Sequence, residues 1–82
     1  HDDALAMYFV AAIYYFDFQH WSNAAFWCRK SAERGNGAAQ YLLSVMLEEG
    51  LGLERSEKES NEWLKMSAAQ KFPSALRDLG LH

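Results

Sequence analysis

The chain contains a single cysteine, Cys28, so no intramolecular disulfide can form. Small secreted scaffolds usually depend on such staples, and their absence points to a reducing compartment without fixing one. Long apolar runs are also missing. The longest uncharged apolar stretch, Ala4 to Phe16, falls short of the roughly 20 residues that a membrane-spanning helix needs and reads instead as a buried helix; membrane insertion is not expected. Basic clusters are absent too. Eight Lys and Arg are interspersed with eleven Asp and Glu for a net charge of −3, which leaves no surface matched to nucleic-acid phosphates. The chain opens on the acidic His1-Asp2-Asp3, unlike the basic start of a signal peptide. It begins without Met and stops at Leu79-Gly80-Leu81-His82 without the usual helix-ending punctuation, and a piece of a longer polypeptide is expected. Localisation stays open between the cytoplasm and, for a processed precursor, a periplasmic or secretory setting.

Constellations that carry chemistry are equally scarce. The three histidines, His1, His20 and His82, stand in no metal-ligand spacing with Cys28. Cys28 itself falls on an apolar helix face and reads as a small core residue. Glu48 and Glu49 are neighbours that point in different directions on a helix, so they read as a solvated helix end and not as an acid–base or metal pair. Glu57, Glu59 and Glu62 form a solvent-facing charge run with a capping share. Gly50-x-Gly52 lacks the lysine and serine of a phosphate-binding loop and reads as a turn. No catalytic residue, metal ligand or cofactor is expected, and the chain reads as a non-enzyme.

What the sequence does have is a core and a repeat. Half of its 82 residues are apolar and 15% are aromatic, enough for one compact domain. Trp27 and Trp63 lie 36 positions apart. At that offset Ser31 meets Ser67, Ala32 meets Ala68, Ala39 meets Ala75 and Leu43 meets Leu79, with softer matches of Arg29 to Lys65, Ala24 to Ser60 and Ser44 to Gly80. A fixed offset shared by large, small and apolar positions marks a structural repeat.

Periodicity says what each repeat is. From Trp21, Ala24, Ala25, Cys28 and Ala32 recur at helical spacing with Trp27 beside them, and Asn23, Arg29, Lys30 and Glu33 form a polar reverse face. Gly35-Asn36-Gly37 stops that helix. A second helix carries Ala39, Leu42, Leu43, Met46 and Leu47 on one side and ends at Glu48-Glu49-Gly50. Ser56 then reads as an N-cap with Glu59 completing a capping box. The helix it opens points Ser60, Trp63, Leu64, Ser67 and Ala68 inward. Pro73 suits the first turn of a final helix with Ala75, Leu76 and Leu79. No stretch alternates with period two, so strands are not indicated. Small residues at Ala24/Ser60, Ala32/Ala68 and Ala39/Ala75 let helices approach closely, and the tryptophans fill wider gaps. One helix pair cannot cover its own apolar face, so pairs must stack. The expected fold is all-α, a short right-handed solenoid of antiparallel helix pairs with about two repeats plus a terminal helix. A single helical-repeat domain over 1–82 divides into a degenerate first pair at about 3–35, the best-matching repeat at about 38–71, and a partial third repeat or cap at 73–82.

These residues resemble the Sel-one-like repeats, relatives of tetratricopeptide repeats. Ala39, Leu43-Ser44, Gly50-Leu51-Gly52-Leu53, Glu59-Ser60, Trp63 and Ser67-Ala68-Ala69 correspond to the family's A-x-x-x-L-G, G-x-G-V, K-A and W-x-x-x-A-A signature. Trp27 to Asn36 is similar to its W-Y-x-K-A-A-E-x-G-N segment, and the likeness covers roughly Ala24 to Gly80. Departures are Ser44 for glycine, Ser60 for alanine, Lys71-Phe72 for the glycine-asparagine turn, and Ser56 where aspartate is common. The first helix, Ala4 to about Tyr15, matches poorly, lacks a glycine-x-glycine loop, and has a register open by about two residues. The resemblance implies a scaffold or adaptor that binds a protein or peptide partner of unknown identity.

Two surfaces are candidates for that partner. By the family's analogy the first helix of each pair lines the concave face, which places Gln40, Tyr41, Ser44 and Glu48 off the core stripe. Tyr14, Tyr15, Phe16, Phe18 and Trp21 form an aromatic loop where glycines are usual, and Tyr14, Tyr15 and Phe18 join the candidate contacts. The first helix is apolar all round and must be covered on more than one side. An upstream repeat, a partner, or a second copy in a homodimer would each cover it. The alternatives to an adaptor are thus a structural homo-oligomer built through that helix, or an inhibitor or immunity-type protein that blocks a partner enzyme.

Overall fold

The computed structural model describes residues 3–80. His1, His82 and the last two residues of the expected cap lie outside the described residues. Five α-helices follow one another: α1 (Ala4–Ala12), α2 (Trp21–Glu33), α3 (Gly37–Glu49), α4 (Glu57–Ala69) and α5 (Pro73–Asp78). Each packs against its sequence neighbour, so α3 sits between α2 and α4. Among the described residues there is no strand, and no helix is long and apolar enough to cross a membrane. The architecture is an all-α stack of helix pairs.

Capping explains where the helices begin. Asp3 accepts from the Leu5 amide at 3.0 Å and the Ala6 amide at 3.4 Å, which satisfies two donors that α1 cannot pair internally. Asn36 does the same for α3 through the Ala39 amide at 2.8 Å. Ser56 caps α4 through the Glu59 amide at 3.2 Å. The expected capping box is only half made. The Ser56 amide donates to the Leu47 carbonyl at 2.9 Å, and the Glu59 carboxylate turns instead to Arg29 at 3.0 Å and to the Trp63 indole N–H at 3.3 Å.

The core is formed by Ala11, Ala24, Ala25, Cys28 and Ala32 against Ala39, Leu42, Leu43, Met46 and Leu47. Leu43, Met46 and Leu47 are its largest fully buried apolar side chains, each stabilising the fold by about 2 kcal/mol through burial. Trp27 and Trp63 are half-buried and pack against the same cluster. Buried serines join the pairs at equivalent points. Ser31 of α2 donates to the Ala4 carbonyl at the start of α1, and Ser67 of α4 donates to the Gly37 carbonyl at the start of α3, at 2.7 Å.

Those serine bonds fix the register left open for the first helix. Ser31 and Ser67 are 36 positions apart, but their acceptors Ala4 and Gly37 are 33 apart. The caps Asp3 and Asn36 agree with that shift, and so do the buried small residues Ala11 and Ser44. The first pair is therefore three residues shorter than the second, and the shortening lies between its helices. There the chain departs from the expected aromatic loop. Ile13–Phe18 continues α1 as a π-helix, and only Gln19, at φ 55°, and His20 connect it to Trp21. Without glycines to turn at, the backbone keeps winding in a wider turn and changes direction at one left-handed residue.

The turns between successive pairs are alike in spite of different residues. Arg34, Gly35 and Asn36 amides donate to Ser31, Ala32 and Ser31 carbonyls, and Gln70, Lys71 and Phe72 amides donate to Ser67, Ala68 and Ser67. Lys71 takes φ 63° where Gly35 takes 97°. The departure from glycine-asparagine changed the side chains and kept the turn.

Candidate interaction surfaces

The concave candidates are not all on a surface. Gln40 is 2% and Ser44 3% exposed, which corrects their expected place off the core stripe. The reason is that α3 has neighbours on two sides, so its buried arc is wider than one stripe of leucines. Polar groups in that arc must be paired. The Gln40 amide nitrogen donates to the Ala32 carbonyl at 3.1 Å, and its oxygen accepts from Gln70 at 2.9 Å. Ser44 donates to the Tyr41 carbonyl at 2.6 Å, and its own carbonyl accepts from Ser60 at 2.7 Å.

Tyr41 is half-buried. Its hydroxyl donates to Asp78 at 2.7 Å and its ring lies 5.6 Å from that of Phe72, so it ties α3 to the last helix. The bond to Asp78, then burial, holds its phenol above the usual tyrosine range. Glu48 is exposed at the end of α3, where its carbonyl accepts from Arg55 at 2.8 Å.

The aromatic end of the first helix is brought together as two groups. The Tyr14 ring lies 6.2 Å from Phe18 and 6.3 Å from His20, and the Tyr15 ring meets Phe16 and Trp21 edge-on at 4.7 and 5.1 Å. Tyr14 and Tyr15 are half-buried against the core, whereas Phe18 is 62% exposed. Burial first, and the Glu49 carboxylate second, push the Tyr15 phenol up.

Cys28 is buried, its thiol donates to the Ala39 carbonyl at 3.1 Å, and burial pushes it up to about 12. A thiol held protonated is a poor nucleophile. Among the described residues no three His, Cys, Asp or Glu come together as a metal site.

One surface escaped the sequence reading. Phe26 is 54% exposed on the outer side of α2, with Lys30 over its ring at 5.0 Å and Trp27 edge-on at 5.2 Å. It edges a groove of about 390 Å³ between α2 and the Gly50–Leu53 turn, lined also by Arg29, Glu33, Gly52 and Leu53. A second groove of about 450 Å³ follows α4 past Lys58, Glu62, Trp63 and Met66, and the Arg29–Glu59 ion pair links the two helices that carry them. The signal was present: Phe26 interrupts the polar face of α2 between Asn23 and Lys30.

Comparison with known proteins agrees with this architecture. The family model described as Sel1 repeat matches three consecutive segments, residues 4–18, 22–36 and 37–72. Chitin synthase regulatory factor 3 of Schizosaccharomyces pombe is 34% identical over 56 residues, 68% of this chain and 6% of that protein. Chitin synthase regulator SKT5 of Saccharomyces cerevisiae is 40% identical over 52 residues, 63% of this chain and 8% of that protein. The chain thus spans less than a tenth of the length of these curated relatives. No match was found among solved structures. Helix pairs stacked in sequence order, serine bonds at equivalent points of each pair, and matches over most of the length lead to one conclusion: the chain belongs to the Sel1 repeat family.

Proposed function

We propose that this chain is a non-enzymatic protein–protein interaction module, an adaptor that docks a protein or peptide segment on its helix surface. Sel1 repeats generally mediate such interactions, and the two relatives named as chitin synthase regulators fit a regulatory adaptor. The observation that carries the reading is Phe26, an aromatic ring held in the open by a rigid helix beside a groove. Aromatic anchors at the edge of a pocket are the residues on which binding energy concentrates. Arg29, Lys30 and Glu33 supply a mixed polar rim, suited to a segment with one apolar side chain flanked by charges of both signs.

A second reading places the contact on the first helices of the pairs, at Tyr41, Glu48, Tyr14, Tyr15 and Phe18. The exposure of Phe18 favours it. In that reading Gln40 and Ser44 act from beneath, by holding Gln70 and the Tyr41 backbone in place.

Affinity capture from an extract of the source cells, followed by titration of the captured partner, tests both. Phe26→Ala should weaken binding at least fivefold, about 1 kcal/mol, with the helical circular dichroism signal unchanged. Loss with Phe18→Ala and none with Phe26→Ala would move the site to the second surface. Retention of no protein beyond that held by a denatured control would end the module reading.

A further inference from the structure

The two helix pairs turn between their helices in different ways. In the second pair Gly50 and Gly52 take φ 72° and 73°, and Leu51 and Leu53 pack against the core. The first pair has no glycine there, so Ile13–Phe18 winds on as a π-helix and one left-handed residue, Gln19, reverses the chain. That reversal brings the His20 amide to the Tyr14 carbonyl at 2.9 Å. The His20 ring then lies 6.3 Å from Tyr14 and 6.5 Å from Phe18, and Tyr14 and Phe18 are 6.2 Å apart, so three rings stand at the corners of a nearly equilateral triangle. Their planes are inclined to one another by 33°, 55° and 74°; no pair is stacked flat, and ring faces remain for a guest. Phe18 is 62% exposed and His20 is exposed, whereas Tyr14 packs on the core and anchors the group.

The charge beside this triad has one sign. Asp17 is the only charged residue between Asp3 and Arg29, and it is exposed next to Phe18 on the same π-helical stretch. Among the described residues no cation engages its carboxylate. We infer that Tyr14, Phe18 and His20, with Asp17, form a seat for an arginine side chain of a partner protein; this rests on the interaction-module reading and gives its second surface a ligand chemistry. A cation seated about 4 Å above the middle of the triangle lies within about 6 Å of every ring centroid, the reach of a cation–π contact. Arginine follows from how open the seat is. Rings this exposed do not strip the strong hydration from an ammonium. A planar, weakly hydrated guanidinium lies on a ring face and keeps its edge N–H groups free for a carboxylate. Phe26 differs in this respect, because Lys30 of the same chain already stands over its ring at 5.0 Å.

Titration of the isotope-labelled 82-residue chain with the blocked tripeptide Gly-Arg-Gly, followed by NMR, tests this. The ring protons of Tyr14, Phe18 and His20 should shift together and saturably, and the arginine Cδ protons should move upfield under the ring currents. Gly-Lys-Gly should bind at least about threefold more weakly, and the citrulline peptide, which keeps the shape without the charge, should leave the rings unmoved. Phe18→Leu keeps the bulk and loses the π face, and Asp17→Asn loses the charge. Each should weaken the arginine peptide at least about threefold with the helical circular dichroism signal unchanged. Citrulline or lysine bound as tightly as arginine overturns the inference. So does an arginine titration that leaves the three rings unmoved or is indifferent to both substitutions. A partner captured from an extract whose affinity ignores Asp17→Asn and Phe18→Leu sinks the arginine seat and spares the module, whereas arginine-specific shifts with no protein captured support the seat and remove the module.

Discussion

At the residue scale, Gly52 is the position with the least freedom. It holds φ 73°, and a Cβ there would run into the Trp21 carbonyl at the start of α2. A turn in the second pair is thereby pressed against the backbone of the first. Gly52→Ala combines a left-handed backbone with a collision against main chain, neither of which a side-chain shift relieves. Its expected cost is about 3 kcal/mol, read as a lower denaturant midpoint at unchanged slope. A change under about 0.5 kcal/mol would mean that the two pairs do not rest on each other here. The need for glycine at Gly50-x-Gly52 was legible from its place between two helical patterns. What it touches was not, because its neighbour is thirty-one positions away in sequence. The same distinction applies to Gln40 and Ser44. Both read as polar and hence outward, yet both are buried because their side chains find partners, Gln40 at Ala32 and Gln70, and Ser44 at the Tyr41 carbonyl of its own helix.

At the scale of an element, the two turns that join one pair to the next form a controlled comparison. Their backbone hydrogen bonds are the same, but Gly35 and Asn36 in one are Lys71 and Phe72 in the other. Lys71 bears the left-handed penalty that glycine avoids, and Phe72 offers no side-chain cap to α5. Lys71→Gly should therefore stabilise the chain by about 0.5–1 kcal/mol, measured as a raised denaturant midpoint. A fall in stability would mean that the Lys71 side chain makes a contact worth more than the strain. The π-helical end of α1 is the element that the sequence concealed. Tyr14, Tyr15, Phe16 and Phe18 have the composition of a packed turn, but with no glycine to turn at they go on winding as far as Gln19.

At the scale of the whole molecule, stability should be graded, not uniform. Each helix packs mainly on its neighbours, so α3, with α2 and α4 on either side, has the most to lose on opening. The six-residue α5 leans mainly on α4, and α1 on α2 with one face bare. Amide hydrogen exchange followed by mass spectrometry should show α3 protected longest, α2 and α4 next, and α1 and α5 exchanging first. Equal protection in all five helices would indicate one indivisible unit. The gradient also separates two tasks of the surface. Apolar area at α1 is an end of the stack, whereas Phe26 stands exposed on α2, which has α1 and α3 on either side.

The sequence by itself determined the helical class, the 36-residue spacing of the second helices, the cap at Ser56, and the small residues at which helices meet. These follow from local periodicity and from the backbone preferences of single residues, which act over a few positions of chain. Tertiary structure alone decided the 33-residue register of α1, the burial of Gln40 and Ser44, the contact of Gly52 with Trp21, and the opening of the groove beside Phe26. Each of those depends on which distant segment arrives alongside. That arrangement is fixed by the summed packing of all five helices, and no single stretch of residues encodes it.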